Sequence, residues 1–119
     1  MFFKKREKAK RRVICPIPVI LEIMQETIDI DAGLAEFVIC IDGNKHRVGL
    51  TSDYEWNRGF FDPIFYLDDQ EFNTFEHFKA EAVLDGELFA EKTDYVEVVD
   101  ADDGATKFPW YVKFEDYVV

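Results

Sequence analysis

The sequence contains two acidic runs whose carboxylates could bind a metal ion. They are Asp29-Ile30-Asp31-Ala32-Gly33 and Asp100-Ala101-Asp102-Asp103-Gly104. Carboxylates beside a turn glycine are what calcium loops use. Such loops also need fixed spacing and usually a bidentate glutamate further on. Neither run has that spacing, and Asp and Gly are also the residues that turns favour for backbone reasons. We therefore expect turns in both places and no metal site.

A third acidic run, Asp68-Asp69-Gln70-Glu71, raises the possibility of general acid–base chemistry. Neighbouring like charges raise the pKa of one carboxyl group, but hydrolysis needs two such groups placed across a cleft. The run directly precedes a predicted helix, and the positive end of a helix favours acidic side chains. We expect a solvated helix entry. A small hydrolase using scattered carboxylates remains the alternative function.

The histidines and cysteines form no catalytic or metal-binding pattern. His46 and His77 are the only histidines. A closed zinc site needs four ligands at short fixed spacings, and no nucleophile motif or glycine-rich phosphate loop is present. We expect structural histidines, no cofactor and no enzymatic activity. Cys15 and Cys40 lie in apolar runs and are predicted to be buried thiols. A disulfide between them remains an alternative if their Cα atoms lie within about 7 Å.

Residues 52–63 form a predicted loop that is unusually aromatic. The loop contains Asn57, Gly59 and Pro63, yet it also carries four aromatic residues, Tyr54, Trp56, Phe60 and Phe61. Loops run over protein surfaces, so these rings either fold back over the core or are exposed to a partner. Core covering is the favoured interpretation. Trp56, Arg58 and Phe60 are the candidate anchors if a partner binds, because Trp and Arg are enriched at interface hot spots.

The charge of the chain is divided between a basic N-terminal arm and an acidic body. Seven of the fourteen Lys and Arg lie in residues 4–12, and with Glu7 they give the first twelve residues a charge of +6. The net charge of the whole chain is −11, so residues 13–119 carry −17. Net charge governs association and solubility rather than fold. An acidic body repels duplex nucleic acid and attracts basic protein surfaces, at a range of about 8 Å in physiological salt.

The basic arm has three interpretations. It can be a solvated terminus, which is the commonest outcome, or it can contact acidic surface on its own chain or on a sister chain. Clustered Lys and Arg residues also bind nucleic acid or anionic lipid. We expect no binding of duplex nucleic acid, because the acidic body opposes its approach.

These observations favour a non-catalytic module that binds a basic protein surface. The expected binding residues are the anchors Trp56, Arg58 and Phe60, with steering charges on Asp68, Asp69, Asp102 and Asp103. In size, acidity and aromatic content the chain is similar to bacterial or phage immunity and inhibitor proteins, a likeness of composition that no motif carries. A structural domain with no specific ligand is a further alternative.

The elements that position these residues begin with a hairpin. Asp42-Gly43 between the apolar runs Glu36–Ile41 and His46–Thr51 is a strong signal for a type I′ turn. Before it, the alternation in residues 27–31 and the prolines at positions 16 and 18 favour an edge strand from Pro18 onwards. The apolar spacing in residues 19–28 also fits a helix. Ile64–Leu67 is predicted to be a short strand.

The later part of the chain predicts one principal helix, over residues 74–85. Asn73 and Glu76 resemble a capping box, and Gly86 is the predicted stop. Strands are expected at Tyr95–Val99 and Lys107–Glu115, joined by a loop over residues 101–104. The whole is predicted to be a single α+β domain over residues 13–119, with a mainly antiparallel β-sheet packed against the helix.

The start of the chain imitates a secretory signal only poorly. The apolar run Val13–Leu21 follows the basic arm, but Pro16 and Pro18 interrupt it and no small-residue cleavage site follows at once. The run is also shorter than the roughly 18–20 residues that span a bilayer. We expect no transmembrane segment and a cytoplasmic location.

Overall fold

The computed structural model of the chain describes residues 12–52, 63–102 and 112–119. Within these ranges the α-helices are α1 (Ile17–Asp29) and α2 (Phe75–Glu81), and 3₁₀ helices lie at Phe89–Glu91 and Val112–Tyr117. The strands are β1 (Val13–Pro16), β2 (Leu34–Ile41), β3 (Asn44–Ser52), β4 (Pro63–Leu67), β5 (Gln70–Phe72), β6 (Val83–Leu84), β7 (Glu87–Leu88) and β8 (Tyr95–Asp102).

Six of the strands form one sheet in the order β1-β8-β2-β3-β4-β5, and every neighbouring pair is antiparallel. Strands β2 to β5 follow one another as a meander, whereas β8 returns late in the chain and inserts between β1 and β2. The β6 and β7 strands make a separate two-stranded ribbon. The predicted α+β class with an antiparallel sheet packed on helices is confirmed.

One face of the sheet packs against both helices and forms the core. Strand β2 alternates between partly exposed and buried residues, and its buried set is Ala35, Phe37, Ile39 and Ile41. Helix α1 covers these residues with Ile17, Ile20 and Met24, and α2 adds Phe75 and Phe78 to the same core cluster. Burying large aromatic side chains removes much apolar area from water, so the phenylalanines supply a large share of the stabilising free energy.

The predicted strand after Pro18 is wrong, and the helical alternative is correct. Pro16 occupies the N-cap position of α1 and Pro18 lies in its first turn, where the missing N–H leaves no intrahelical bond unmade. The apparent alternation at residues 27–31 belongs to the end of this helix. Asp31 has φ of +61°, Ala32 N donates to Thr27 O, and Asp31 N donates to Ile28 O, which together make a Schellman cap. The turn predicted at Asp29–Gly33 is therefore confirmed.

The Asp42-Gly43 hairpin is confirmed, with φ of +51° and +82° at the two turn residues and Ile41 paired with Asn44. A second turn of this kind was not predicted. Asp85 and Gly86, at +54° and +82°, connect β6 to β7. Gly86 is therefore a hairpin residue rather than the stop of a helix.

The helix predicted over residues 74–85 is present but shorter, at Phe75–Glu81. Its cap is Thr74 rather than Asn73, because the Thr74 hydroxyl accepts a hydrogen bond from His77 N. Ala82 already has extended backbone. The longest helix of the described ranges is α1, with 13 residues.

The C-terminal segment differs from the predicted strand Lys107–Glu115. Residues 103–111 lie outside the described ranges, and Val112–Tyr117 is a 3₁₀ helix that buries Phe114 in the core. Val118 then forms a bridge with Val13 at the β1 edge of the sheet. Ala101 and Asp102, predicted to be a loop, continue β8. Among the described helices, none is long and apolar enough to cross a membrane.

Candidate functional site

The predicted binding residues divide between described and undescribed parts of the chain. Trp56, Arg58, Phe60 and Asp103 lie outside the described residues, so their prediction stays a prediction. The ends of the aromatic loop are described, since Ser52 and Pro63 are cross-strand partners where β3 and β4 meet.

Asp68 and Asp69 form the tight turn between β4 and β5, so the predicted helix entry at these residues is wrong. Asp68 has φ of +54°, a conformation that Asp tolerates better than most residues. Its Oδ1 accepts a hydrogen bond from Arg47 N (3.0 Å), its Oδ2 lies 2.8 Å from His46 Nδ1, and its own N–H donates to Arg47 O. Asp68 therefore fixes the turn against β3, whereas Asp69 is exposed.

The face of the sheet opposite α1 and α2 is the candidate site. Side chains alternate between the two faces of a strand, so the cross-strand register assigns each residue to a face. One row of partners crosses five strands, and its members are Asp102, Glu36, Gly49, Tyr66 and Glu71. We call this surface the outer face; it comprises that row together with Arg47, Glu97 and Asp100 in the neighbouring rows.

Tyr66 lies across the centre of the outer face. Its hydroxyl donates a 2.6 Å hydrogen bond to Glu36 Oε2, although β4 and β2 are separated by β3. Two strand spacings are about 10 Å, so the ring must extend over β3 at Gly49, the residue between the two partners. The ring is 7% exposed.

Gly49 makes this arrangement possible. Its φ is +154°, and a Cβ atom built there would lie 2.1 Å from the backbone oxygen of Ala35. A side chain at this position would therefore collide with β2. An aromatic residue opposite a strand glycine covers the backbone that the glycine leaves bare.

Arg47 and burial determine the electrostatics of Tyr66. The Arg47 guanidinium lies 5.6 Å from the centre of the Tyr66 ring, within the range of a cation–π contact. Burial, and then the hydrogen bond to the Glu36 carboxylate, raise the pKa of Tyr66 well above its usual value. Tyr66 is therefore a neutral hydrogen-bond donor that holds Glu36 in place.

Two grooves flank this centre, and Glu36, Arg47 and Tyr66 line both of them. The larger, of about 390 Å³, is also lined by Asp68 and Glu71. The smaller, of about 190 Å³, is also lined by Asp100 and Asp102. Carboxylates that line a concave surface focus negative potential there and raise the local concentration of cations.

The side chains of the outer face can accept hydrogen bonds from organic cations. In the described ranges, no group of three or more His, Cys, Asp and Glu side chains is placed to hold a metal ion. Carboxylates and a phenol accept hydrogen bonds from ammonium and guanidinium groups, and ionised acceptors make the stronger bonds.

A salt bridge at the edge of the outer face joins the last residue of the basic arm to the body. Arg12 donates from Nε to Glu97 Oε2 (3.2 Å) and from Nη2 to Glu97 Oε1 (3.1 Å). The hydrogen bonds raise the pKa of Arg12 and lower that of Glu97. Both are accessible to solvent, so the pair contributes orientation more than stability.

The two cysteines are free thiols, and their positions exclude the alternative disulfide. The predicted burial is confirmed for Cys15 and wrong for Cys40, which is half-buried. Cys15 pairs with Val96 and Cys40 pairs with Glu97, so they flank β8 on opposite faces of the sheet. Cys15 is fully buried, and burial raises its pKa to about 12.

The histidines lie on the elements that the sequence predicts for them, His46 on the second strand of the hairpin and His77 on the helix. His46 contacts Asp68 at the β4–β5 turn. His77 packs edge-on against Phe72 and lies 3.1 Å from Glu81, one helical turn away.

The predicted binding residues did not include Glu36, Arg47, Tyr66, Glu71 or Asp100, although Glu71 and Asp100 belong to the acidic runs of the sequence. Two signals for them exist. Glu36 is an isolated charge at the start of an apolar strand, and Gly49 interrupts a strand interior, where a glycine often marks close backbone approach. Neither signal identifies Tyr66, because its partner Glu36 is 30 positions away.

Comparison with known proteins adds no relative. Neither a protein-family model nor a curated protein nor a solved structure matches the chain.

Proposed function

We propose that the protein is a non-catalytic binding module whose acidic outer face engages a basic surface of a partner protein. The observation that carries this proposal is the pair of grooves on either side of Tyr66, each lined by three carboxylates, with Glu36 common to both. A lysine or arginine side chain entering either groove meets ionised acceptors.

The charge of the body supports the same proposal at longer range. Residues 13–119 carry −17, and complementary charge accelerates diffusional encounter with a basic partner. Aromatic residues and Arg are enriched among the contacts that provide most of an interface's affinity. Trp56, Arg58 and Phe60 remain proposed anchors.

The alternative hydrolase would use the same carboxylates, but several of them already have structural partners, among them Glu36 and Asp68. Glu36 accepts the Tyr66 hydroxyl, and Asp68 accepts the Arg47 backbone N–H. Proton transfer by either group would disrupt the contact that positions it. This favours binding over catalysis.

The test is capture from host lysate with wild type and two matched double variants. Glu71→Gln with Asp100→Asn removes two exposed charges from the outer face. Glu76→Gln with Glu91→Gln removes two exposed charges elsewhere. We expect the wild type and the second variant to retain the same partner at low salt, and the first variant to retain at least fivefold less.

Three results would contradict the proposal. If the wild type retains the partner equally at low and high salt, electrostatic steering by the acidic residues is excluded. If both variants lose the partner equally, the outer face is excluded as the binding surface. Absence of any partner at low salt would favour a structural domain with no specific ligand.

A further inference from the structure

The Arg12–Glu97 salt bridge places the end of the basic arm beside the outer face. Arg12 is also held through its backbone, because its carbonyl oxygen accepts a hydrogen bond from Val119 N. Arg12, which directly follows residues 4–11 in the chain, is therefore held by two side-chain hydrogen bonds and one backbone hydrogen bond.

The direction of the chain at the start of β1 is given by its pairing with β8. Strand β1 is antiparallel to β8, with Cys15 opposite Val96 and Val13 opposite Val98. From Cys15 back to Val13 the chain therefore runs alongside β8 in the direction of Asp100 and Asp102. Six of the basic residues precede Arg12, at positions 4, 5, 6, 8, 10 and 11.

The arm is long enough to cover the outer face. Eight extended residues span about 26 Å, at about 3.3 Å each. Arg12 lies at the start of β1, and the five strand spacings from β1 to β5 measure about 24 Å. The six basic side chains can therefore reach Asp100, Asp102, Glu36 and Glu71.

We propose that residues 4–11 dock on the outer face of their own chain and compete there with a basic partner. Charge complementarity selects the arm as occupant, and covalent attachment gives it an effective concentration in the millimolar range. Docking does not depend on the proposed function, whereas the competition rests on it.

The test of docking uses the full-length chain. An arm-neutral variant carries Gln at the six basic positions 4, 5, 6, 8, 10 and 11 and keeps Arg12. At about 20 mM salt we expect the backbone amide resonances of Glu36, Asp100 and Asp102 to differ between wild type and this variant. The difference should vanish near 0.5 M salt, where the Debye length falls to about 4 Å.

Matched charge variants show whether the effect belongs to the outer face. Asp100→Asn with Asp102→Asn should reduce the resonance differences at Glu36 at least twofold. Glu76→Gln with Glu91→Gln should leave them unchanged. Differences confined to helix α1, with its acidic residues Glu22, Glu26 and Asp29, would overturn the proposal. So would differences that grow with protein concentration, because they would make a second copy the occupant.

Competition is measured with an eight-residue oligolysine peptide as the probe. We expect the arm-neutral variant to bind it about tenfold more tightly than the wild type, because the docked arm reduces the fraction of open face. Equal binding to both proteins would overturn the competition and leave the proposed function standing. Binding to neither would contradict the proposed function, while the resonance differences would still decide whether the arm docks.

Discussion

Tyr66 and Glu36 couple two strands that are not neighbours, and a single phenol oxygen makes the connection. A hydrogen bond to an ionised acceptor contributes about 1.5–3 kcal/mol when one partner is removed. Because Tyr66 is 7% exposed, little solvent competes for that bond. The residue therefore stabilises the sheet and also shapes both grooves.

Removing this hydroxyl should change both stability and its dependence on pH. We expect Tyr66→Phe to lower the free energy of unfolding by about 1.5 kcal/mol at pH 7. The pKa of Tyr66 is raised in the folded state above its unfolded value of about 10, so the folded state binds the phenol proton more tightly. Its contribution is complete below about pH 10 and is lost as pH rises further.

Urea denaturation between pH 7 and pH 11.5 measures both effects. The wild type should lose stability more steeply above pH 10 than Tyr66→Phe does. Tyr95→Phe is the control, because Tyr95 is 67% exposed. Parallel curves for wild type and Tyr66→Phe would show that the phenol proton is not linked to folding.

At the scale of the element, Gly49 in β3 differs from the turn residue Gly43 because the backbone of β2 lies close to Gly49. We expect Gly49→Ala to destabilise the protein by about 3 kcal/mol, because the new methyl meets backbone atoms that have no room to move. Gly43→Ala should cost only about 1 kcal/mol. Gly43 has φ of +82° but open space around it, so only the conformational penalty applies.

Chemical denaturation of the two variants side by side checks this difference. Equal losses of stability in the two variants would mean that β2 and β3 move apart at Gly49 to accept the methyl group. The position of Tyr66 over Gly49 would then need another explanation.

At the scale of the whole molecule, the acidic body repels itself. Charges of −17 confined to one domain oppose the compact state, and salt screens that repulsion. We expect Tm to rise by about 5 °C between 20 mM and 500 mM NaCl, equivalent to about 1 kcal/mol for a domain of this size. The arm-neutral variant should show the larger rise, since it lacks the compensating positive charge.

Thermal unfolding followed by circular dichroism measures both proteins under the same conditions. A Tm that is unchanged or lower at high salt would show that attractive pairs such as Arg12–Glu97 outweigh the repulsion.

Local chemistry in the sequence determined the parts of the fold that depend on neighbours along the chain. Asp42-Gly43 specifies its turn, because both residues accept positive φ. The apolar spacing around Phe75 and Phe78 specifies α2. The separation of a basic arm from an acidic body is likewise a property of the sequence alone.

Tertiary structure decided what depends on distant residues. Val19–Ile28 fits either a strand or a helix locally, and packing of Ile20 and Met24 against the sheet makes it a helix. The outer face arises only when β8 inserts beside β2 and brings Asp100 and Asp102 next to Glu36. No local pattern encodes that insertion, because strand pairing reflects burial across the whole sheet rather than the preference of any one segment.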